Sequence, residues 1–410
     1  MNRFLNDPVL QGLRSDLARE EELMKGGIFT DVDTNRPYFT GYSYKTLYDW
    51  DQYFESIVQI YMGWPSVYIK NGVTIFLDHQ QPSGIISRSV PSNLYHDPEH
   101  VKPFLAQIAL LVHNAYGELD WILDEHYFDR LQKYLDFWLD EMDANHNGLS
   151  EWMSAPHTGM DNQHERAGYW LDRFSEGVDL NSYLVREAQA FARLCRLAGK
   201  EPLAVEYEHK AKELVERIRT LMWEEQDGFF YDHNARFGQA LKSSITGWAS
   251  VLNADNQVQI RVKSVASFAV LWAKVATPDQ ARRMVFEHLF NPREFWSPYP
   301  VPALARSERW YSRDYMPADL GCNWRANTWI PTNYMIYHGL RGYGYRDLAA
   351  LVAHYTVGLV KKAGNREYYD AETGDGCGLN PFWGWSLLAD FLPYEEGNEG
   401  LVNQGLENQG

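Results

Sequence analysis

Ser175-Glu176-Gly177-Val178-Asp179-Leu180-Asn181-Ser182-Tyr183-Leu184, continuing as Val185-Arg186-Glu187-Ala188-Gln189-Ala190-Phe191, reads as a loop that turns into a helix. Leu180, Tyr183, Leu184, Ala188 and Phe191 recur at i, i+3 and i+4, which places their apolar side chains on one helical face. Asp179 stands at or just before the start. Aspartate is favoured there as an N-cap, accepting from free backbone N–H groups. On spacing alone a cap is the simpler reading and a working acid the sharper one.

The same helical period recurs outward in both directions. It predicts an opening helix over Asp7 to Lys25, then one that begins at Asp51 and continues through Tyr61. Another starts at Lys102-Pro103-Phe104, with proline in its first turn. Further helices are predicted over Leu203 to Trp223, Phe268 to Val275, Pro278 to Leu289, Trp329 to Arg341 and Asp347 to Lys362. Few strands are expected, and Asp227-Gly228-Phe229-Phe230-Tyr231 reads as a short hairpin or turn. Counted coarsely, about a dozen helices in successive antiparallel pairs make the chain all-α. Phe295-Trp296-Ser297-Pro298-Tyr299-Pro300-Val301-Pro302 has too much proline for a helix and suits a loop at a rim. Asp143-Ala144-Asn145-His146-Asn147-Gly148 imitates half a calcium loop, but Ser154 stands where the bidentate glutamate belongs, so it reads as a plain turn. The body of the chain is expected to be a single unit over 1–392, and the polar 393–410 is expected to be a disordered tail.

Composition narrows the function. The balance of 38 basic and 55 acidic residues, a formal charge of -17, opposes nucleic-acid or anionic-membrane partners, which need clustered Lys and Arg. No apolar run has the length of a signal or a membrane span. Cys195, Cys322 and Cys377 lack metal-ligand spacing and leave an odd one, which fits reduced thiols in a cytoplasm. No metal or other cofactor is implied. An aromatic content of 15% suits either a large core or a sugar site, where ring faces stack on sugar faces.

A second acid stands among aromatics and glycines: Asn365-Arg366-Glu367-Tyr368-Tyr369-Asp370-Ala371-Glu372-Thr373-Gly374, followed by Phe382-Trp383-Gly384-Trp385-Ser386. Apolar surroundings shape a carboxyl's ionisation. Two such groups across one bond can divide acid and base duty.

These stretches resemble glycoside hydrolase family 63, the inverting α-glycosidases of the (α/α)6-barrel type. Val178-Asp179-Leu180-Asn181 is similar to that family's general-acid motif, and Arg366-Glu367-Tyr368-Tyr369-Asp370 with the Trp383-Gly384-Trp385 segment to its general-base motif and closing stretch. Trp324-Arg325-Ala326-Asn327-Thr328-Trp329 is similar to its Trp-Arg-Gly-x-x-Trp run, with alanine for glycine. Thr158-Gly159-Met160-Asp161-Asn162 is similar to its Ser-Gly-Met-Asp-Asn run. The likeness covers roughly Gly41 to Leu392, with the motifs in the family's order.

The resemblance implies a closed double ring of helices whose loops converge at one mouth. It implies Asp179 as general acid and Glu367 as general base, with carboxyls roughly 6.5–9.5 Å apart. A helix start favours the Asp179 anion, so burial has to raise its pKa. Tyr44, Trp50, Asp51, Arg88, Gln107, Asp161, Asn162, Trp324, Arg325 and Trp385 are implied as substrate-binding. From the residues alone, Asp51 also reads as a cap, Arg88 as a surface ion pair and Arg325 as a core arginine paired to a carboxylate. Lys102 departs from the family's Gln-Pro-Pro run. The implied substrate is a small α-glucoside or α-mannoside. By size the glucosylglycerate and mannosylglycerate hydrolases are favoured, with Arg88, Arg325 or Arg366 for an acidic aglycone. Alternatives are a kojibiose- or nigerose-type α-glucosidase, a trehalase-like enzyme, a sugar epimerase, or a non-catalytic sugar-binding protein.

Overall fold

The computed structural model describes residues 2–42, 45–92, 99–169, 172–237, 258–314, 322–398 and 400–403. In chain order, the helices that carry the architecture are α1 Pro8–Asp16, α2 Ala18–Met24, α3 Asp49–Tyr61, α4 Val67–Asp78, α5 Leu105–Tyr116, α6 Glu125–Asp136, α7 Val178–Leu197, α8 Glu201–Leu221, α9 Ala269–Trp272, α10 Pro278–Arg283, α11 Ile330–Gly342, α12 Arg346–Ala363 and α13 Leu388–Gly397. They form an (α/α)6 barrel. The inner ring runs α3, α5, α7, α9, α11 and α13, each packed on the next, and α13 returns to α3. Helices α4, α6, α8 and α12 lie outside, and α1 packs on α13.

Residue patterning explains the two rings. Every position of α3 is buried, as expected of a helix with packing partners on all sides. In α12 the buried residues are Ala349, Val352, Ala353, Thr356 and Leu359, a single stripe at i, i+3 and i+4. At the N-terminal ends of the inner helices, two-residue strand pairings tie the loops together. Leu47–Tyr48 pairs with Ser89–Val90, and Ser175–Glu176 pairs with His233–Asn234. Asn327–Thr328 pairs with Tyr369–Asp370, which in turn places Tyr368 opposite Cys377.

Several local expectations shift. The helix expected from Lys102 begins at Leu105, after Pro103. The helix expected to Trp223 ends at Leu221, and Trp223 instead pairs with Phe230 in the hairpin. The half calcium loop is a turn in which the Asp143 carboxylate accepts from the N–H groups of Asn147 and Gly148 at 3.0 and 2.9 Å. Within the stretch expected to be disordered, the described residues hold structure: α13 runs through Gly397, and Leu401 and Val402 are buried. Glu395 anchors this end, accepting from the Tyr61 and Tyr334 hydroxyls at 2.6 and 2.7 Å. Arg186 donates to the Val402 carbonyl at 3.3 Å. Residues 404–410 lie outside the described residues. Among the described residues no helix is long and apolar enough to cross a membrane.

Candidate active site

Tyr48, Trp50 and Asp51 stand at the start of α3, and Arg88 flanks the strand paired to Tyr48. Asp161 follows the turn Ala155–Thr158, Cys322 to Arg325 precede α11, and Glu367 and Trp385 precede α13. All therefore lie where loops enter inner helices, which is how residues far apart in sequence come together.

Two carboxyls act on one thiol. Glu367 is 8% exposed; its Oε2 accepts from the Leu379 N–H at 2.8 Å, and its Oε1 accepts from the Cys322 Sγ at 3.4 Å. Cys322 and Asp161, which is partly exposed, also act on one another electrostatically. Burial raises the Asp161 carboxyl above its ordinary range, against the opposing pull of Arg88, Lys102 and the Cys322 thiol. Burial likewise raises Glu367, with the Leu379 N–H and Cys322 opposing and Asp161 adding to the rise. Asp51 is pushed up to about 8, first by burial and then by Asp49, and Glu367 lies in its field.

Aromatic rings back this group. The Trp50 ring centroid is 5.7 Å from that of Trp324 and 6.3 Å from that of Trp385. Trp324 stacks on Trp329 at 3.6 Å, and Trp385 donates from Nε1 to the Glu367 carbonyl at 2.8 Å. Gly159 has a φ of +84°, and a Cβ there would come within 2.9 Å of Trp50. Only glycine lets that loop close over the ring and deliver Asp161.

The proton donor expected from sequence is sealed. Asp179 has no exposed surface. Its Oδ1 accepts from Trp152 Nε1 at 2.9 Å, from the Leu180 N–H at 2.8 Å, and from Arg166. Its Oδ2 has no hydrogen-bond partner among the described residues. Arg166 also donates from Nε to Asp232 Oδ2 at 2.6 Å. Gly177 makes room for the Trp152 contact, since a Cβ there would meet the indole nitrogen at 2.2 Å. A general acid has to touch the glycosidic oxygen; Asp179 has only a covered Oδ2 to offer it, on a carboxylate already paired to a guanidinium. Nor is Asp179 a cap, because it is the second residue of α7 and Gly177 precedes the helix.

Other residues expected to touch substrate already have partners within the protein. Gln107 is buried within the barrel, donating to the Pro103 carbonyl at 3.0 Å and accepting from Arg186 at 3.1 Å. Asn162 is fully buried, and its Oδ1 accepts from the Trp324 N–H at 2.8 Å. It bolts the Asp161 loop to the 322–325 segment and leaves nothing for a sugar. Arg325 donates to the Asn162 carbonyl at 3.0 Å and faces Glu165 at 3.5 Å. Arg88 is paired with Glu99 at 2.6 Å while remaining in the field of Asp161. Lys102 places its Nζ 3.1 Å from both carboxylate oxygens of Asp49, beneath Trp50. Tyr44 lies outside the described residues. Cys322 and Tyr48 were not singled out from sequence; the signal for Cys322 was its place two residues ahead of Trp324-Arg325.

Among the described residues, one group brings three metal-ligating atoms within 4.8 Å of one another: Asp31, Asp33 and His79. Asp33 is exposed and Asp31 already accepts from Thr34 at 2.8 and 2.6 Å, so the group is accounted for as a turn.

A family model described as mannosylglycerate hydrolase MGH1-like glycoside hydrolase domain matches residues 44–386. A mannosylglycerate hydrolase of Rubrobacter radiotolerans is 28% identical over 218 residues, covering 53% of this chain and 43% of that protein. A cytosolic neutral trehalase of Kluyveromyces lactis is 27% identical over 158 residues, covering 38% of this chain and 18% of that protein. The matches thus span less than half the length of these relatives. The crystal structure of a family 63 mannosylglycerate hydrolase from Thermus thermophilus in complex with glucose superposes with a TM-score of 0.69. It has 18% identity, and the match covers 93% of this chain and all of that one. At that identity the likeness speaks for the fold.

Proposed function

The chain belongs to the MGH1-like glycoside hydrolase family, and from that premise we propose that it is an inverting hydrolase of a small α-mannoside or α-glucoside, mannosylglycerate or glucosylglycerate first. The observation that carries the reading is the pair of carboxyls, Asp161 and Glu367, brought within each other's field at the barrel mouth, both acting on the Cys322 thiol. Asp161, raised by burial, is the proton donor to the leaving oxygen, taking the role that sequence reading gave to Asp179. Glu367 is the base that draws a proton from water attacking the opposite face of the sugar. Asp51 receives sugar hydroxyls, since a carboxyl accepts several hydrogen bonds. Of the three arginines considered for an acidic aglycone, Arg88 is the one in the field of Asp161. Arg325 is taken up by Asn162 and Glu165, and Arg366 Nε donates to the Ala363 carbonyl at 3.3 Å.

The test is sugar release from mannosylglycerate, glucosylglycerate, trehalose, kojibiose and nigerose, with the anomer of the first product read by NMR. Release of the sugar from the two glycerate glycosides with inverted configuration is expected, and Arg88→Met should raise KM for these substrates but not for trehalose. Failure to hydrolyse any of the five, or a retained configuration, overturns the reading. The trehalase relatives support a second reading, to which release from trehalose alone would point. The unpartnered Oδ2 of Asp179 favours a second choice of donor within the same chemistry, which Asp179→Asn separates from the first by its activity.

A further inference from the structure

Cys322 sits between two rigid frames. On one side its chain neighbour Asn323 is pinned: Asn323 Oδ1 accepts from the Arg325 N–H at 3.1 Å, and its carbonyl accepts from Trp329 Nε1 at 3.2 Å. The next N–H, that of Trp324, is held by Asn162, the residue after Asp161. On the other side Glu367 is fixed by the Leu379 N–H on Oε2 and by Trp385 on its carbonyl. The thiol thus bridges the loop that carries one proposed catalytic carboxyl and the segment that carries the other.

We propose, resting on the acid–base reading above, that Cys322 is a positioning residue which ranks these two carboxyls, its S–H donating to Glu367 Oε1 so that Glu367 gives up its proton before Asp161 does. A thiol suits that task better than a stronger group. A lysine or arginine there would pair with both acids, hold both as anions and strip the donor of its proton. A thiol brings no charge and is a weak donor to one partner at a time. Burial, then Asp161 and Glu367, push the Cys322 pKa well above its ordinary value, so it stays a protonated donor and is neither a nucleophile nor an easily oxidised thiolate. The groups acting on this set are Asp161, Asp51 and Tyr48, with Arg88 and Lys102 acting on Asp161 and with Asp49 and Lys102 acting on Asp51.

The experiment is the pH dependence of kcat/KM for mannosylglycerate, or for trehalose if that is the sugar cleaved, in Cys322→Ala and Cys322→Ser. The acid limb reports the base in the free enzyme. Cys322→Ala should move that limb up by about half a pH unit, roughly a threefold loss of rate on that limb. Cys322→Ser keeps a donor of similar size, so its limb should stay in place or move down. A limb unmoved in Cys322→Ala, or moved up equally in both variants, overturns the proposal; if the alanine variant does not fold, an upward move in serine does so alone. A readout without turnover is the infrared S–H band isolated as wild type minus Cys322→Ala. It should move to higher frequency in Glu367→Gln, and a band that stays put also counts against the hydrogen bond. If Glu367→Gln keeps full activity, the acid–base reading fails too; if that variant is dead and the limb is unmoved, only the role of Cys322 falls.

Discussion

The loop from Ala155 to Gly168 contributes to two acidic clusters, Asp161 to one and Arg166 to the other, and they use the same residue types to opposite ends. At the mouth, Glu367 faces a thiol and a backbone N–H, and Asp161 lies in the field of two cations, Arg88 and Lys102, each already paired elsewhere. In the buried cluster, Asp179 and Asp232 share one guanidinium, that of Arg166, with side-chain exposure of 0% and 2%. In the first cluster burial without a full counter-charge raises the carboxyls and leaves protons to be moved. In the second, burial raises Asp232 as well, but there a guanidinium is bonded directly to both acids, and the Oδ2 of Asp179 is the one oxygen of that residue left uncommitted. What distinguishes the two clusters is the partner that each acid faces, since both sit beside helix starts among aromatic rings.

Neutralising one member of each cluster gives the largest contrast. Asp161→Asn and Glu367→Gln should each lower kcat by about 10²–10⁴-fold, as losing a proton-transfer group does, with Tm nearly unchanged. In Arg166→Met the loss should fall on stability. Stranding two buried carboxylates costs about 3–5 kcal/mol, read by denaturant unfolding. Asp179→Asn is the variant that can break the comparison. It should be destabilised, while its folded fraction keeps activity within about tenfold of wild type, since no proton-transfer group is lost. A variant as inactive as Asp161→Asn but as stable as wild type would return the donor's role to Asp179, acting through its free Oδ2.

The ring was legible in sequence because inner and outer helices differ in kind, apolar on all sides in α3 and striped in α12. The family was legible in the order of its motifs, and the family model matches the same region. The different surroundings of Asp161 and Asp179 were not legible. Asp179 is met by Arg166, thirteen positions upstream, which it shares with Asp232, far downstream, and no local spacing records such pairings. Asn162 and Gln107 were misread for a related reason: their amides are spent inside the protein on Trp324 and Arg186. The approach of Asp161 to Glu367 depends on the pairing of Asn327–Thr328 with Tyr369–Asp370 and on the Asn162 bolt, both of them long-range.

A smaller effect sharpens the mouth cluster through pH. A base has to be ionised, so a raised Glu367 should make activity fall on acidification already above the ordinary glutamate range. A donor has to be protonated, so a raised Asp161 should carry activity to higher pH before it falls. Asp51, pushed up to about 8 by burial and Asp49, adds a negative charge beside Glu367 as it ionises. Asp51→Asn should remove the inflection near that pH, in a kcat/KM profile, without moving the acid limb upward.

The smallest effect tests whether the two clusters are separable at all. Ser175 Oγ donates to Asp232 Oδ2 at 3.2 Å, while Asp232 keeps Arg166 and the Val178 N–H at 2.8 Å. Alanine at 175 preserves the strand pairing with Asn234 and removes a single donor from the buried side. The cost should be about 1 kcal/mol of stability, and Asp232, still paired, should go on holding Arg166 against Asp179. The nearest of these contacts to the mouth is Arg166 Nη1 on the Met160 sulfur at 3.7 Å, one residue before Asp161, and since Ser175 does not alter it, kcat and the pH profile should be those of wild type. A fall in kcat at unchanged Tm would mean that the buried charges feed directly into the chemistry, and the line drawn between scaffold and site would have to move to take them in.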